Sequence, residues 1–288
     1  MKIEYIISPY RHYYVPLFEK YFQSKVINPR NKDDMYSMSA VANKIFLFAE
    51  RFSLHYLDNV PPGNNIIFFR RHELYDVPAD LILRCRSKFS NVFTLNGFLQ
   101  KKLKLNYNID SEIEKNYLDE NLWTFRQRAN GNKIAWVGEL KDRKAPDYIV
   151  EVAQHYRDYE FHCAVSSGPS KQLYLDFINN FNLKNIFLYE TVNTQDKMNN
   201  FLEDKNYLLT TSISEGLPNC VLEALAKGIK PIIRYYPGNI FDRFTYRSLT
   251  GIKDHLNSKY DSLEYRKIIT ENFGINEFLK FRDKVLSI

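Results

Sequence analysis

Short apolar runs of strand length recur along the chain and alternate with stretches in helical spacing. The runs are Ile3 to Ile7, Ile66 to Phe69, Val92 to Leu95, Ile134 to Val137, Phe161 to Ala164, Ile186 to Tyr189, Tyr207 to Thr210 and Pro231 to Arg234. Strands that alternate with helices predict an α/β protein built on parallel sheet. The alternation is clearest in the second half, where strands are followed by helices predicted over Pro146 to Tyr156, Lys171 to Asn180, Thr194 to Glu203 and Pro218 to Lys227. That order predicts a Rossmann-like unit. The polar stretch Asn121 to Lys133, with Arg126, Gln127, Arg128, Asn130 and Gly131, has loop chemistry and is the expected linker. Beyond Ser262, the spacing of Tyr265, Ile268, Ile269, Phe278, Leu279 and Val285 predicts a closing helical segment. There is no internal repeat and no glycine-rich phosphate loop, so ATP hydrolysis and hydride transfer lose ground.

A chain of 288 residues exceeds the usual size of one hydrophobic core, which favours two domains. At 44% hydrophobic and 26% charged residues it has the composition of a folded protein. Cys85, Cys163 and Cys220 are widely spaced and odd in number, which predicts neither a disulfide framework nor a Cys/His zinc site. A cytoplasmic location fits that usage. Met1 to Pro9 reads as a strand and not as a signal peptide. Apolar spans such as Lys44 to Ala49 fall far short of the roughly 18 residues a membrane helix needs. The net charge of +6 is concentrated at Arg70, Arg71, Arg84, Arg86, Lys88, Lys101, Lys102 and Lys104. A phosphate-rich partner, an anionic lipid surface and ordinary solvated lysines all account for it, whereas no recognition motif supports nucleic acid. The stretch Phe98 to Leu105 (FLQKKLKL) fits either a basic amphipathic segment on an anionic membrane surface or a solvated surface helix.

The segment from Ser212 to Gly228 carries the densest chemistry. It follows a strand, Pro218 suits the first turn of a helix and Gly228 suits the helix exit, so Glu215, Gly216 and Leu217 form a turn at a strand's carboxyl end. Ligands of open α/β sheets bind there, and the amides of the following helix N-terminus favour phosphate. Gly216 lets a ligand approach the backbone. Val221, Leu225 and Gly228 can face the sheet, which would leave Glu223 on a less apolar face. A carboxylate accepts two hydroxyl hydrogen bonds from a vicinal diol, so Glu215 and Glu223 together point to a sugar and a ribose. Each also has an ordinary reading: Glu223 as the partner of Lys227 one turn on, Glu215 as a helix N-terminal charge.

Glu215 and Glu223, with seven residues between them inside Ser-x-x-Glu-Gly-x-Pro and Leu-Glu-Ala-x-Ala-x-Gly, closely resemble the donor-site signature of glycosyltransferase family 4. Trp136, Val137 and Gly138, followed by Arg143, Lys144 and a helix, look like that family's first donor-domain strand and diphosphate loop. The resemblance fades in the first half, where Ile66 to Glu73 (IIFFRRHE) looks like a histidine-containing acceptor-domain loop. It implies a GT-B α/β fold of two Rossmann-like domains with a cleft between them, the first domain short. The expected organisation is an acceptor domain over 1–127, a donor domain over 128–262 and a helical segment over 263–288 that returns toward the first.

By that resemblance Glu215 contacts the donor sugar, Glu223 the ribose, Gly216 and Leu217 present amides, Pro218 opens the helix, and Gly138, Arg143 and Lys144 form the diphosphate loop. Lys144 neutralises the charge that grows on the leaving diphosphate. His72 bonds the transferring sugar or, as a loop histidine, only backbone. The implied reaction is retaining transfer from a nucleoside-diphosphate sugar to a glycan or lipid-linked glycan of surface-polysaccharide type, with no metal and no cofactor. Two departures stand out: Glu139 follows Gly138 where the family commonly has arginine, and Ala145 stands where it often has glycine. A catalytically silent GT-B subunit supporting a partner transferase and a GT-B-shaped sugar-nucleotide epimerase remain open alternatives.

Overall fold

A computed structural model of the chain describes residues 3, 5–7, 14–28, 45–49, 60, 65–69, 79–165, 169–189, 192 and 194–288. The residues fall into two compact units. The first comprises Met1–Leu118, Glu215–Leu217 and Phe273–Ile288; the second comprises Asp119–Ser214 and Pro218–Asn272. The units therefore divide at 118/119 and 272/273, not at 127/128 and 262/263 as the sequence led us to expect.

The first unit is a six-stranded parallel sheet in the order β2-β1-β3-β4-β5-β6. Its strands are β1 (Tyr5–Ile7), β2 (Lys25–Ile27), β3 (Ile45–Ala49), β4 (Ile66–Phe69), β5 (Asn91–Thr94) and β6 (Glu112–Ile113). A parallel sheet needs cover on both faces. On one face Ile7, Ile67 and Phe69 pack with Leu81 and Ile82 of helix Ala79–Lys88 and with Leu99 and Leu103 of helix Gly97–Tyr107. On the other, Phe278 and Phe281 of the last helix, Ile275–Ser287, stack among Phe18, Phe22, Phe93 and Tyr117. Leu217 is buried in this unit, its carbonyl receiving the Asn116 amide at 3.1 Å. His72, with Arg70, Arg71 and Glu73, lies outside the described residues.

The second unit is also all parallel, in the order β12-β11-β10-β7-β8-β9. The strands are β7 (Lys133–Gly138), β8 (Glu160–Val165), β9 (Ile186–Tyr189), β10 (Tyr207–Thr210), β11 (Lys230–Arg234) and β12 (Thr245–Tyr246). The chain builds outward from β7 through β9, then returns to lay β10 on the other side of β7, as in a dinucleotide-binding fold. The two neighbours at that reversal pair through Tyr207↔Ile134 and Leu208↔Ala135.

Residues 119–133 are not a free linker. The Arg128 guanidinium donates to the carbonyls of Glu203 and Lys205 at 2.9 Å each and to that of Lys227 at 3.3 Å, and the Trp123 ring is buried. Hydrogen bonds from one long polar side chain to three carbonyls dock a segment whose composition reads as loop. The closing segment is two helices, Ser262–Asn272 and Ile275–Ser287, broken at Phe273 and Gly274. The first stays with the second unit and packs on helix Asn219–Ala226.

Candidate functional site

The order reversal of the second sheet brings the loops that follow β7 and β10 side by side at the strands' carboxyl ends, where open α/β sheets hold ligands. Five hydrogen bonds lock these loops. The Trp136 indole N–H donates to Thr211 Oγ1 at 2.9 Å, and that hydroxyl donates to the Lys144 carbonyl at 2.6 Å. The Ile213 amide donates to the Arg143 carbonyl at 3.0 Å, and the Arg143 guanidinium returns to the Ser214 carbonyl at 3.4 Å. From β11, Arg234 donates to the Thr211 carbonyl at 3.3 Å while its guanidinium lies over the Tyr148 ring. Thr211 and Arg234 escaped the sequence reading because their partners are remote in the chain and no local spacing announces them.

Gly138, at the end of β7, is required by packing. A Cβ there would come within 2.9 Å of the Trp136 ring, so the indole that anchors Thr211 also excludes a side chain two residues on. The loop then forms a single 3-10 turn, Asp142–Lys144, closed by Ala145 in the left-handed region at φ 42°. Glu139 does not oppose the loop cations unpaired. It forms an ion pair with Lys141 at 2.7 Å, and the hydrogen bond from Lys141, then the nearby charges of Lys141, Arg143 and Lys144, hold its carboxyl below the usual range against the effect of burial.

After β10 the chain runs through Pro218, which caps the helix from outside (φ −69°, ψ 120°) and is not its first residue. The helix is Asn219–Ala226, and Gly228, at φ 75°, makes the expected left-handed exit. A Cβ on Gly228 would meet the Arg126 carbonyl at 2.8 Å. The expectation of a less apolar face for Glu223 is wrong. Every residue from Val221 to Ala226 is buried, because sheet and helix Ser262–Asn272 enclose the helix together.

Glu223 is 1% exposed, and neither carboxyl oxygen has a hydrogen-bond partner among the described residues. Burial raises its carboxyl from 4.5 to about 8. The ordinary reading, a pair with Lys227, fails: the Lys227 ammonium binds Glu203 at 2.8 Å and Asn199 instead. A buried carboxyl group with both oxygens unused is costly and calls for an explanation, which makes Glu223 a candidate for binding or chemistry. Gly138, Arg143, Lys144, Pro218 and Glu223 thus share the second unit, while Glu215, Gly216 and Leu217 belong to the first. Gly216 lies outside the left-handed region, so backbone freedom is not why glycine stands there. Among the described residues no group of three His, Cys, Asp or Glu side chains has the arrangement of a metal site, and no helix is long and apolar enough to cross a membrane.

Known proteins enter here. Residues 119–240 match the family model described as Glycosyl transferases group 1. No curated protein matches the chain in sequence. Among solved structures, TarM superposes with a TM-score of 0.66 at 15% identity over 84% of this chain, which spans only 54% of TarM. The pneumococcal O-GlcNAc transferase GtfA, in complex with UDP and GlcNAc, superposes at 0.57 and 14% identity, over 84% of this chain and 56% of GtfA. The chain therefore spans about half the length of these two relatives. The lipopolysaccharide outer core galactosyltransferase WaaB, in its apo form, superposes at 0.70 and 14% identity, over 99% of both chains. This chain therefore carries a glycosyl transferases group 1 match across the switch-point loops of its second unit, within a GT-B α/β fold of two Rossmann-like units.

Proposed function

We propose that this chain is a glycosyltransferase that moves a sugar from a nucleoside-diphosphate sugar to a hydroxyl of a glycan or lipid-linked glycan, of surface-polysaccharide type, with retention of anomeric configuration and without a metal or cofactor. The observation that carries the reading is the Glu223 carboxyl group, buried with both oxygens unused within the segment that matches the family. Two acceptor oxygens on one rigid helix suit the two hydroxyls of a ribose. Lys144 and the first-turn amides of helix Asn219–Ala226 take the diphosphate, Glu215 takes the donor sugar, and the Gly216 and Leu217 amides serve the sugar or the diphosphate. His72 is assigned to the transferring sugar.

In the proposed reaction the bond from the anomeric carbon to the diphosphate oxygen breaks and the acceptor oxygen attacks the same face of the ring. The acceptor's proton passes to the departing phosphate oxygen. No side-chain base is needed, and the charge gained by the diphosphate is met by Lys144 and the helix amides. Thermal-shift measurements with UDP, GDP, ADP, CMP and their sugar conjugates test the donor site, since a ligand of the native state raises the midpoint. UDP comes first because GtfA holds UDP with GlcNAc. One nucleotide should shift the midpoint and lose its effect in Glu223→Ala. Absence of any shift near millimolar nucleotide would favour the silent-subunit reading. An inverted product would refute retention, acceptor-independent release of nucleotide would favour an epimerase, and loss of turnover in chelator would refute metal independence.

Peripheral membrane contact, at the cytoplasmic face, is part of the proposal. Helix Gly97–Tyr107 buries Leu99 and Leu103 yet leaves Phe98 42% and Leu105 71% exposed beside the exposed Lys101 and Lys104. Such a face suits an anionic lipid surface. Binding to phosphatidylglycerol vesicles at low salt, reduced in Leu105→Glu, is the expected result.

A further inference from the structure

A glutamate and a lysine four residues apart on a helix face each other, so Lys227 is the natural partner of the Glu223 carboxylate. It is held elsewhere at both ends. The Lys227 side chain has no exposed surface, and its ammonium donates to Glu203 Oε2 at 2.8 Å and to Asn199 Oδ1. Its carbonyl accepts the Arg126 amide at 3.5 Å and Arg128 Nε at 3.3 Å. Glu203 is itself fixed by the Arg126 guanidinium at 2.5 Å. Burial pushes the Glu203 carboxyl up, and Lys227, Arg126 and Arg128 outweigh it, so Glu203 keeps its charge and its hold on the ammonium. Glu223, one turn back, has its carboxyl pushed up by burial.

We propose that Glu203 and Asn199 form a latch that keeps Lys227 off Glu223, leaving both buried carboxyl oxygens unpaired for the donor's vicinal diol. The inference rests on the reading of Glu223 as the diol acceptor. Its physical reason is competition. In a buried, poorly solvated site a freed ammonium within reach of a carboxylate gains far more than two neutral hydroxyls do. Glu203 is then a positioning residue that acts through Lys227 without touching the donor. A purely structural ion pair suffers from loss of either partner. A latch suffers only from loss of the residue that does the holding, because removing the lysine leaves Glu223 open.

The test uses the full chain as wild type, Glu203→Ala, Glu203→Gln, Lys227→Met and Glu203→Ala/Lys227→Met, with circular dichroism as the folding check. The first readout is the carboxyl-carbon NMR titration of Glu223 without nucleotide. The second is calorimetric affinity for UDP, GDP and ADP. In Glu203→Ala the Glu223 titration should move down by about two pH units as Lys227 swings onto it, and nucleotide affinity should fall at least about tenfold. Lys227→Met and the double variant should titrate as wild type does and bind within about threefold of it. Glu203→Gln, which keeps an oxygen on the ammonium, should fall between. An unmoved Glu223 titration in Glu203→Ala overturns the latch, and so does a Lys227→Met defect as large as that of Glu203→Ala. Should wild type bind no nucleotide, the donor reading fails while the titration still decides the latch. If Glu203→Ala does not fold, Asn199→Ala must move the titration the same way by a smaller amount.

Discussion

Replacing Glu223 by glutamine should stabilise the free protein, and by an amount that grows with pH. Burial holds the folded carboxyl near 8 against 4.5 in the unfolded chain, so between those values the folded state keeps a proton that the unfolded state has lost. Stability therefore falls as pH rises through that window, by about 1.4 kcal/mol per pH unit, is unaffected below it, and carries the whole penalty above it. Glutamine has nearly the same shape and cannot ionise. Its own unused amide adds a cost that does not change with pH, so the slope isolates the carboxyl group. From about pH 5.5 to about pH 7.5 the stability difference between Glu223→Gln and wild type should move in the variant's favour by about 3 kcal/mol. For a unit of this size that is roughly 5–10 °C in relative thermal midpoint. Differential scanning calorimetry of both proteins at the two pH values, without nucleotide, is the assay. A difference that stays constant with pH would mean that Glu223 is solvated or paired when free, and the argument that its oxygens await a ligand would collapse.

Three further outcomes follow from the same loops. Ala145→Gly should raise the thermal midpoint by a few degrees, because the left-handed backbone at φ 42°, ψ 60° strains alanine by more than glycine loses in chain entropy; the net gain is about 0.5–1 kcal/mol. Gly228→Ala should destabilise by roughly 3 kcal/mol, visible in urea unfolding, since φ is 75° and the new methyl would lie 2.8 Å from the Arg126 carbonyl and 2.9 Å from the Phe125 ring. Glu139→Arg removes the Lys141 ion pair and adds a cation to the proposed diphosphate loop, so calorimetry should show nucleoside-diphosphate affinity rising about fivefold or more; weaker binding would mean that the diphosphate does not rest on this loop.

The site joins two opposing demands. Trp136, Thr211, Arg143 and Arg234 make the loops rigid before any ligand arrives, which lowers the ordering cost of binding. Glu223 does the reverse, held at an energetic disadvantage that two good hydrogen bonds would relieve. One local violation inside an otherwise consistent structure is what functional sites commonly show, and on the proposed function the donor is what would relieve it.

Most strands of both sheets were readable from residue order, although β3 (Ile45–Ala49), in the middle of the first sheet, was noted only as an apolar span and not read as a strand. Ile186–Tyr189 and Tyr207–Thr210 match the apolar runs residue for residue, and the helix after β10 ends at Gly228 as its glycine predicts. The outlying strands β2, β6 and β12 were not, since runs of two or three residues carry no period to detect. Local spacing also placed Glu215 and Glu223 after one strand, and it was their resemblance to a family signature, not the spacing itself, that suggested a donor site. What spacing could not decide was which partner each group takes. Lys227 stands four residues from Glu223 and binds Glu203, 24 residues away; Arg128 stands in a polar stretch and docks it on carbonyls about 75–99 residues distant. Sequence determines local backbone geometry and the side-chain inventory, because propensity and period act over a turn or two. Only the tertiary structure decides burial and pairing, because those depend on what the sheet order and the packing helix Ser262–Asn272 bring against each side chain, and that left Glu223 buried with both oxygens unpaired among the described residues.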